Sequence, residues 1–345
     1  MMYEVYVGGY QSPDQAGIHH LHFDSTTGSL SYRDGVLGIE NPSYLYWDRA
    51  RSHLYAVSES SQGPKVFSYR VQSDGSLVFE NSESSSGGSP CHLMETPDGR
   101  ALLTTNYMGG SVDWFHLDET GRLFPRSSHV THVGRGLRDD RQSEPHPHSS
   151  WVDPSGSYIL VPDLGLDRLV VYQIDPEGQT LRPFAQVKSP AGSGPRHLVF
   201  HPQGGFAYVI NELNSTVSVY RYSADAFAME LLQTVPALPE GFDGESGAAH
   251  IAISADGTKL YASNRGHDSV AVFEVDPGDG TIHALTHIPT LAKFPRHFAL
   301  TPDQRWLLVA GQKADLIEVL PLADGIPVSP GATFALPRPT AIVIG

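Results

Sequence analysis

The feature that most constrains this chain is a repeat. Each copy has an apolar stretch that begins near a Pro or a small residue, then a turn such as Pro-Asp-Gly, a second apolar stretch and a third, alternating strand. Residues 197–220 match residues 250–273 in this way. The copies are spaced by roughly 44 to 57 residues, close to the period of β-propeller blades. The equivalent first-strand positions are Pro42, Pro90, Pro147, Pro195, Ala248, Pro295 and Pro339.

The two ends of the chain complete one copy of the repeat between them. Residues 338–344 match a first strand, residues 5–10 match a second strand, and residues 17–23 match a third. Helical periodicity is weak throughout, because apolar residues occur in short runs bounded by Gly, Pro, Asn and Asp. Closing a ring pairs the sheet edges. The sequence therefore predicts an all-β fold, a single seven-bladed β-propeller domain over residues 1–345, with N- and C-terminal strands that close a shared blade.

Composition excludes several classes of partner. The chain has 23 Lys and Arg against 38 Asp and Glu, a formal net charge of -15, so it repels nucleic acid and anionic membranes. Its single cysteine, Cys91, excludes an internal disulfide and a thiolate metal site. The chain starts directly with a strand pattern and has no apolar run of about 20 residues. We therefore expect a cytoplasmic protein that binds neither nucleic acid nor membrane.

Two columns of residues should ring one opening of the propeller. In a four-stranded antiparallel blade, the connection into the first strand and the connection from the second strand to the third leave from the same face. The column before the first strands contains Ser43, Cys91, His148, Arg196, Ala249, Arg296 and Thr340. The column after the second strands contains Tyr10, Glu59, Tyr107, Asp163, Glu212, Arg265 and Gln312.

Ionisable residues stand out in these columns on consecutive blades. Residues that the fold requires should be similar in every repeat, so residues that depart from the repeat indicate a functional site. His148, Arg196, Glu212 and Arg265 fall on three neighbouring blades, and Arg296 falls on the next one. Two connections are longer than the repeat requires, at about residues 126–146 and 233–247, and both should open onto this face. The pattern predicts a concave, partly covered pocket.

Each of these residues also has a structural interpretation. Arg196 and Arg265 could merely neutralise nearby strand-end carboxylates. Glu212 could accept backbone N–H bonds from its own turn. His146, rather than His148, could be the functional histidine of the segment 145–148. Clustering on one face favours the functional interpretation, and the column position favours His148.

A second set of histidines indicates structure more than metal binding. His92, His197, His250 and His297 occupy one equivalent position in four blades. Side chains on different blades cannot all converge within about 2 Å of one ion, so no zinc site is predicted. Oxygen ligands near Asn106, Asn211 and Asn264 leave a calcium site as a minor alternative, although no short loop spacing supports it. We expect no metal and no other cofactor.

Four segments carry a family resemblance that spans nearly the whole chain. They resemble the 6-phosphogluconolactonase / carboxymuconate-cyclising family of propellers, as does the pair Arg141-Gln142. The four segments are Pro145-His146-Pro147-His148-Ser149, Gly194-Pro195-Arg196-His197, Asn211-Glu212-Leu213 and Ser263-Asn264-Arg265. The resemblance implies a seven-bladed propeller that acts without a metal on a small anionic lactone or its open acid. It places the catalytic residues at His148, Arg196, Glu212 and Arg265. We predict further substrate contacts from His197, Arg296, His146, Asn211 and Asn264.

These residue types suit lactone hydrolysis. The reaction needs a base to activate water, donors for the oxyanion, and cations for an anionic substrate. Glu212 or His148 would remove the proton from water while the other protonates or orients, and Arg196 and Arg265 would bind a phosphate or carboxylate. We expect hydrolysis of 6-phosphogluconolactone to 6-phosphogluconate. The alternatives are a carboxymuconate lactonising cycloisomerase and, in another class, a non-catalytic ligand- or protein-binding propeller.

Overall fold

The computed structural model describes residues 1–60, 63–175, 177 and 179–345. All regular elements in this part of the chain are β-strands, and they form seven antiparallel sheets. The predicted all-β, seven-bladed propeller is confirmed. The described residues include no helix of the length and apolarity that a bilayer crossing needs.

The blades are numbered here from the one that contains both chain ends, and strands are given from the channel outward. Blade 1 consists of Pro339–Ile344, Met2–Gly9, Ile18–Asp24 and Ser29–Val36. Blade 2 consists of Leu45–Asp48, His53–Ser58, Lys65–Val71 and Leu77–Ser84. Blade 3 consists of Pro90–Glu95, Ala101–Asn106, Ser111–Leu117 and Leu123–Thr131. Blade 4 consists of Trp151–Val152, Tyr158–Asp163, Arg168–Asp175 and Thr180–Lys188.

The remaining three blades follow the same order. Blade 5 consists of Pro195–Phe200, Phe206–Asn211, Thr216–Ser223 and Ala228–Pro236. Blade 6 consists of Gly247–Ile253, Lys259–Arg265, Ser269–Val275 and Ile282–Pro289. Blade 7 consists of Pro295–Leu300, Trp306–Gly311, Leu316–Ala323 and two short strands that both pair with the third, Ile326–Pro327 and Ala332–Ala335.

Blade 1 closes the ring through its two innermost strands. Val7 pairs with Ile342 and Val5 pairs with Ile344 in antiparallel register. The backbone N–H of Tyr10 donates to the carbonyl of Arg338 at 3.2 Å, which extends the pairing to the end of the strand. The shared blade predicted from the repeat is therefore confirmed. This closure leaves the second strand of blade 1 paired on both sides.

The hydrophobic core is divided among the interfaces between neighbouring blades. Between blades 5 and 6, for example, Tyr208 and Ile210 belong to one buried cluster with Ile251 and Leu260. All four side chains are almost fully withdrawn from solvent, and burying a side chain of this size stabilises a fold by about 1.5–3 kcal/mol. Alternation along each strand places one face of a blade against each neighbour. The blades therefore fix one another, and with them the residues at the strand ends.

A β-bulge lies at the start of most innermost strands. In blade 5, Pro195 pairs with Asn211 and His197 pairs with Ile210, so Arg196 is the extra, unpaired residue. The same register shift leaves Arg296 unpaired in blade 7. Such bulges redirect a side chain out of the regular pleat. The first column of the sequence pattern is thus a column of bulge residues, in blade 3 (Cys91) and blade 1 (Thr340) as well.

Two predicted first-strand positions lie ahead of the regular strands. The innermost strand of blade 2 begins at Leu45 rather than at Pro42. In blade 4, Pro147 forms only an isolated bridge with Asp163, and regular pairing begins at Trp151. From Pro147 to Trp151 the chain advances four residues, whereas the partner strand advances three, from Leu160 to Asp163. A bulge therefore interrupts the ladder here too. The interrupted segment contains His148.

Candidate active site

A small cavity of about 230 Å³ lies at the end of the channel where the two predicted columns meet. Its lining residues come from all seven blades and from the connection between blades 3 and 4. They are Tyr10, Glu59, Cys91, Tyr107, Arg141, His148, Glu212, Arg265 and Arg296. His148, Glu212 and Arg265, predicted to be catalytic, and Arg296, predicted to contact substrate, are brought together here.

Glu212 is the centre of an arginine cluster. Its Oε2 lies 3.1 Å from Nε of Arg196 and 2.8 Å from a terminal nitrogen of Arg265, while its Oε1 accepts from Arg141 at 2.9 Å. Burial by itself would raise the pKa of Glu212, but the charges of Arg265 and Arg196 outweigh it and hold the pKa well below its usual range. Glu212 is therefore a permanent carboxylate that orients three guanidinium groups.

Arg196 lies beneath the cavity and is only 2% exposed. Burial, together with the charges of Arg265 and Arg296, lowers its pKa to about 9, so the guanidinium remains protonated at neutral pH. It donates to the carbonyl of Ala249 and to Nε2 of His197, the latter at 3.1 Å. Arg196 does not line the cavity. It acts on a ligand there through its positive charge and by holding Glu212 in position.

His148 is buried, and its imidazole is neutral at neutral pH. Burial lowers its pKa well below 6.5, and the charge of Arg196 acts in the same direction. Its Nδ1 lies 3.8 Å from Sγ of Cys91, and its ring packs edge-on against Tyr107 with centroids 5.3 Å apart. The backbone N–H of His148 donates to the carbonyl of Pro162 at 2.9 Å, which fixes the bulged segment. A neutral imidazole in this position can accept a proton.

Arg296 faces Glu212 from the other side of the opening. Its guanidinium stacks over the ring of Tyr10 at 5.4 Å and lies 4.0 Å from Oε2 of Glu59. Glu59 in turn accepts from the Tyr10 hydroxyl at 2.6 Å and from Ser43. Burial opposes the charge on Arg296, but Tyr10 and Glu59 raise its pKa above the ordinary value. Arg296 is thus a fixed cation at the cavity wall.

Arg141 lines the cavity but lies outside both predicted columns. It lies on the connection between blades 3 and 4, donates to Glu212, and contacts the Tyr107 hydroxyl at 3.3 Å. The neighbouring Gln142 is fully buried and donates to the carbonyl of Leu164 at 2.8 Å and to Asp167 at 2.7 Å. Gln142 therefore anchors the connection and holds Arg141 over the cavity. The sequence feature that could have identified Arg141 is the Arg141-Gln142 pair, which is part of the family resemblance.

Both long connections border the same face, as predicted. A wider cleft of about 780 Å³ shares Arg141, Glu212 and Arg265 with the inner cavity. Its walls include Arg138, Asp140 and Arg141 of the first connection and residues 244–246 of the second. Both connections are shorter than predicted, because the fourth strands of blades 3 and 5 continue to Thr131 and Pro236. The cavity and cleft together form one passage from solvent to Glu212.

Four predicted substrate contacts lie outside the cavity lining. The amide of Asn211 donates to Thr216 and Ser218, and that of Asn264 donates to the carbonyl of Ala237. Both asparagines are fully buried within their blades.

The other two are histidines that contact the site indirectly. His146 stacks on Tyr107 with centroids 4.5 Å apart, and so supports a lining residue from behind. His197 lies deeper in the channel, where its Nδ1 is 3.0 Å from Nδ1 of His250. Because Arg196 donates to Nε2 of His197, the proton of this neutral imidazole sits on Nδ1 and is donated to His250. These four residues hold the frame of the site.

The cavity carries an excess of positive charge in an acidic protein. Four arginines, one of them beneath the lining, face two carboxylates and a neutral histidine, which leaves two uncompensated positive charges. The arginines are Arg141, Arg196, Arg265 and Arg296, and the carboxylates are Glu59 and Glu212. The whole chain has a net charge of -15. A buried cationic surplus of this kind selects an anionic ligand.

Fold and site together define a class: a closed seven-bladed propeller with a cationic, partly covered cleft at one end of its channel. The family model "Lactonase, 7-bladed beta-propeller" matches residues 4–344. The 6-phosphogluconolactonase of Bacillus subtilis is 32% identical over 309 residues, which cover 89% of this chain and 88% of the relative. The 6-phosphogluconolactonase of Formosa agariphila is also 32% identical, over 88% of this chain and 87% of the relative.

A solved structure agrees with these relatives. The periplasmic gluconolactonase of Pseudomonas aeruginosa superimposes with a TM-score of 0.94 at 31% identity, covering 100% of this chain and 99% of that one. The chain therefore belongs to the lactonase family of seven-bladed β-propellers. The resemblance seen in the sequence is confirmed, and so is the prediction of a lactone-hydrolysing enzyme.

Proposed function

We propose that this enzyme hydrolyses a sugar-derived lactone that carries an anionic group, with 6-phosphogluconolactone as the substrate and 6-phosphogluconate as the product. The observation that carries the proposal is the surplus of two positive charges around Glu212 inside an acidic chain. Arginine is the side chain best suited to hold phosphate or carboxylate through paired N–H donors. Relatives named 6-phosphogluconolactonase support the same substrate.

His148 is the group that manages the proton. Water attacks the lactone carbonyl carbon, and neutral His148 accepts the water proton. When the tetrahedral intermediate collapses, the bond to the ring oxygen breaks and that oxygen takes the proton back from His148, which yields the open hydroxy acid. The low pKa of His148 keeps it unprotonated before substrate binds. An anionic substrate beside the ring would raise that pKa and strengthen the base.

Glu212 is assigned a positioning role rather than that of the base. Its carboxylate is paired with three arginines and its pKa is held well below the usual range, so it is a poor proton acceptor. It fixes Arg141 and Arg265 at the cavity wall. These guanidinium groups supply donors for the oxyanion that forms on the attacked carbonyl and for the anionic group of the substrate.

A second substrate is favoured by one comparison. The Pseudomonas aeruginosa relative is named a gluconolactonase, which indicates an unphosphorylated sugar lactone for that protein. The inner cavity of about 230 Å³ is smaller than the pockets of roughly 300–1,000 Å³ typical of drug-sized ligands, and it suits a single sugar ring of either kind. The carboxymuconate cycloisomerase stays a prediction, and offering a carboxylated muconate to the enzyme tests it.

The deciding experiment measures kcat/KM for 6-phosphogluconolactone and for the unphosphorylated gluconolactone, both corrected for spontaneous hydrolysis. We expect the phosphorylated lactone to be the better substrate. Arg265→Ala should lower kcat/KM by about 10² to 10³, the scale for removing a donor to the developing charge. A higher kcat/KM for the unphosphorylated lactone would contradict the proposal and would identify gluconolactone as the preferred substrate.

The matched control is Arg221→Ala. Arg221 is an exposed arginine on blade 5 that pairs with Glu230 at 2.7 Å, far from the channel. It tests whether loss of any arginine from this acidic chain reduces activity through its overall field. Equal losses in Arg265→Ala and Arg221→Ala would contradict the assignment of the cleft as the active site.

A further inference from the structure

A cluster of three potential metal ligands lies on blade 1, away from the cleft. Glu4 is on the strand Met2–Gly9, and His20 and His22 are on the neighbouring strand Ile18–Asp24. One ligand atom from each side chain lies within 4.8 Å of the other two. Glu4 pairs directly with His22, and residues two apart on a strand share a face, so the pleat itself brings His20 beside them.

One ligand nitrogen of this cluster lacks a hydrogen bond. Nε2 of His22 is buried and has no hydrogen-bond partner among the described residues, although Oε1 of Glu4 is only 3.2 Å away. Oε2 of Glu4 is in close contact with Nε2 of His20. A buried ring nitrogen without a partner destabilises a fold. A cation between the three side chains would be bound by the lone pair on Nε2 of His22.

The far side of His20 faces a second carboxylate. Its Nδ1 lies 3.3 Å from Oδ1 of Asp34, on the outermost strand Ser29–Val36 of the same blade, within ion-pair distance but outside hydrogen-bond geometry. A carboxylate on one ring nitrogen commonly orients a histidine whose other nitrogen binds a metal. His20 itself is only 2% exposed, and its ring stacks on Tyr6 with centroids 5.1 Å apart. The ring is therefore held with Nε2 facing Glu4.

A glycine from blade 2 keeps the space beside the ligand atoms open. A Cβ on Gly75 would come within 2.6 Å of Nε2 of His20 and 2.7 Å of Oε2 of Glu4. Gly75 has a φ of +80°, a conformation that favours glycine. The Tyr6 hydroxyl donates to its carbonyl at 2.7 Å and fixes it in place. Any larger residue here would fill the position next to the two ligands.

We propose that Glu4, His20 and His22 bind one divalent transition-metal ion, for which Zn²⁺ is the probe. Two imidazole nitrogens and one carboxylate oxygen form a donor set that zinc accepts, with water as a fourth ligand. Tetrahedral zinc separates its ligand atoms by roughly 3.3 Å, so small side-chain rotations suffice. Glu4 is about one-third exposed, which gives the ion a route of entry.

The ion would act on stability rather than on lactone hydrolysis. Tyr10, at the inner cavity, lies six positions after Glu4 along the strand, a distance of roughly 20 Å. The ligands join the second and third strands of the blade in which the chain ends meet. An ion that binds only the folded state stabilises it by mass action. The proposal does not depend on the identity of the lactone.

The test titrates Zn²⁺ into chelator-treated protein by calorimetry and, in parallel, follows the visible absorption of bound Co²⁺. We expect one ion per chain and a Zn²⁺-dependent rise in Tm. Glu4→Gln and His22→Gln, both at partly exposed positions, should each weaken binding by about 10- to 100-fold and abolish the rise in Tm. Lactonase activity should be the same with and without the ion.

The matched control is His283→Gln. His283 also faces a carboxylate, Glu274, at 3.0 Å, but on an exposed surface and outside the three-ligand cluster. It reports adventitious binding to surface histidines and should leave stoichiometry and affinity unchanged. Unaltered Zn²⁺ affinity in both cluster variants, or loss of binding in His283→Gln alone, would overturn the proposal.

Discussion

The two ends of the propeller channel differ in a way that volume does not show. The end opposite the active site has an opening of about 900 Å³, against about 780 Å³ for the cleft and about 230 Å³ for the inner cavity at the active-site end. Its carboxylates are committed to local structure: Asp48 and Glu95 both bind Arg51, and Asp153 accepts from the backbone of Tyr158 at 2.7 Å. At the active-site end, positive charges exceed their partners by two.

This difference shows that uncompensated charge indicates the site better than the size of an opening. Residues at the far end hold the turn between the first and second strands, so each carboxylate has its hydrogen bonds supplied by the same blade or its neighbour. Among the described residues that line this opening, the one cation is Arg49, and it donates to the carbonyl of Ile344 and stacks over the ring of Trp47. At the active-site end, the charged side chains are free to bind a ligand because the folding of the repeat does not require them.

The largest effect should come from His148→Gln. Loss of the proton acceptor should lower kcat for lactone hydrolysis by about 10² to 10⁴, the usual contribution of a positioned acid–base group. The matched change at the other end is His201→Gln, where Nδ1 accepts from the backbone N–H of Gln203. Initial rates at saturating substrate measure both. Similar rates in the two variants would remove the functional distinction between the ends.

The channel between the ends should make the fold sensitive to mild acid. Burial lowers the pKa of five channel histidines below 6.5, in two cases to about 3. The five are His92, His148, His197, His250 and His297. Each group favours the folded state fully above pH 6.5, and this contribution is lost as pH falls below 6.5, by up to about 1.4 kcal/mol per pH unit.

The measurement is the urea midpoint at pH 7 and pH 5.5, above the range in which most carboxylates titrate. We expect a clear decrease at pH 5.5. Glu95 acts in the opposite direction, because burial and Asp48 raise its pKa to about 6, but it is one group against five. A midpoint that does not change between these pH values would show that the histidines are not kept neutral by the fold.

A smaller effect is expected from Arg141→Ala. Removing this guanidinium from the cavity wall should lower kcat/KM by about 10- to 100-fold, chiefly through KM, because Arg196 and Arg265 still hold Glu212. Arg135→Ala on the same connection is the control, since Arg135 is exposed and pairs with Asp139. Steady-state kinetics of both variants give the comparison. If Arg135→Ala is as impaired as Arg141→Ala, the connection matters as a whole and Arg141 has no special role.

The smallest effect on activity should come from Asp153→Ala at the far end. Its carboxylate accepts from the backbone N–H groups of Ser155 and Tyr158 and from the Tyr222 hydroxyl. Leaving these donors unpaired should lower the free energy of unfolding by about 1–3 kcal/mol. The value of kcat/KM should stay within about threefold of wild type at a temperature where the variant is folded. A large loss of activity in folded protein would show that the two ends are coupled.

The fold could be predicted from sequence because the repeat and the split blade leave few alternatives. Pairing between Met2–Gly9 and Pro339–Ile344 follows directly from reading the two ends as one copy. The bulges could not be predicted, because an extra residue such as Arg196 is visible only in the register of the paired strands. They explain why Arg296 and Arg196 point out of the pleat.

The site was predicted in part. The two columns contain every residue that lines the inner cavity except Arg141, which lies on a connection with no counterpart in the repeat. Glu59 was not predicted as a site residue because it follows a strand of blade 2, whereas the predicted residues lie on blades 4 to 7 across the channel. Asn211 and Asn264 were predicted to contact substrate from their place beside the site, but their amides turn into the blades. Strand position gives proximity, whereas side-chain direction depends on packing.

We expect the anionic ligand to bind in the cationic inner cavity and not in the opening at the opposite end of the channel. A crystal structure of the protein with bound 6-phosphogluconate tests this assignment. The product should lie in the inner cavity, with its phosphate or carboxylate within hydrogen-bonding distance of Arg265 or Arg296. Product bound at the opposite opening beside Asp48 or Asp153, with the inner cavity and the cleft free of it, would contradict the assignment.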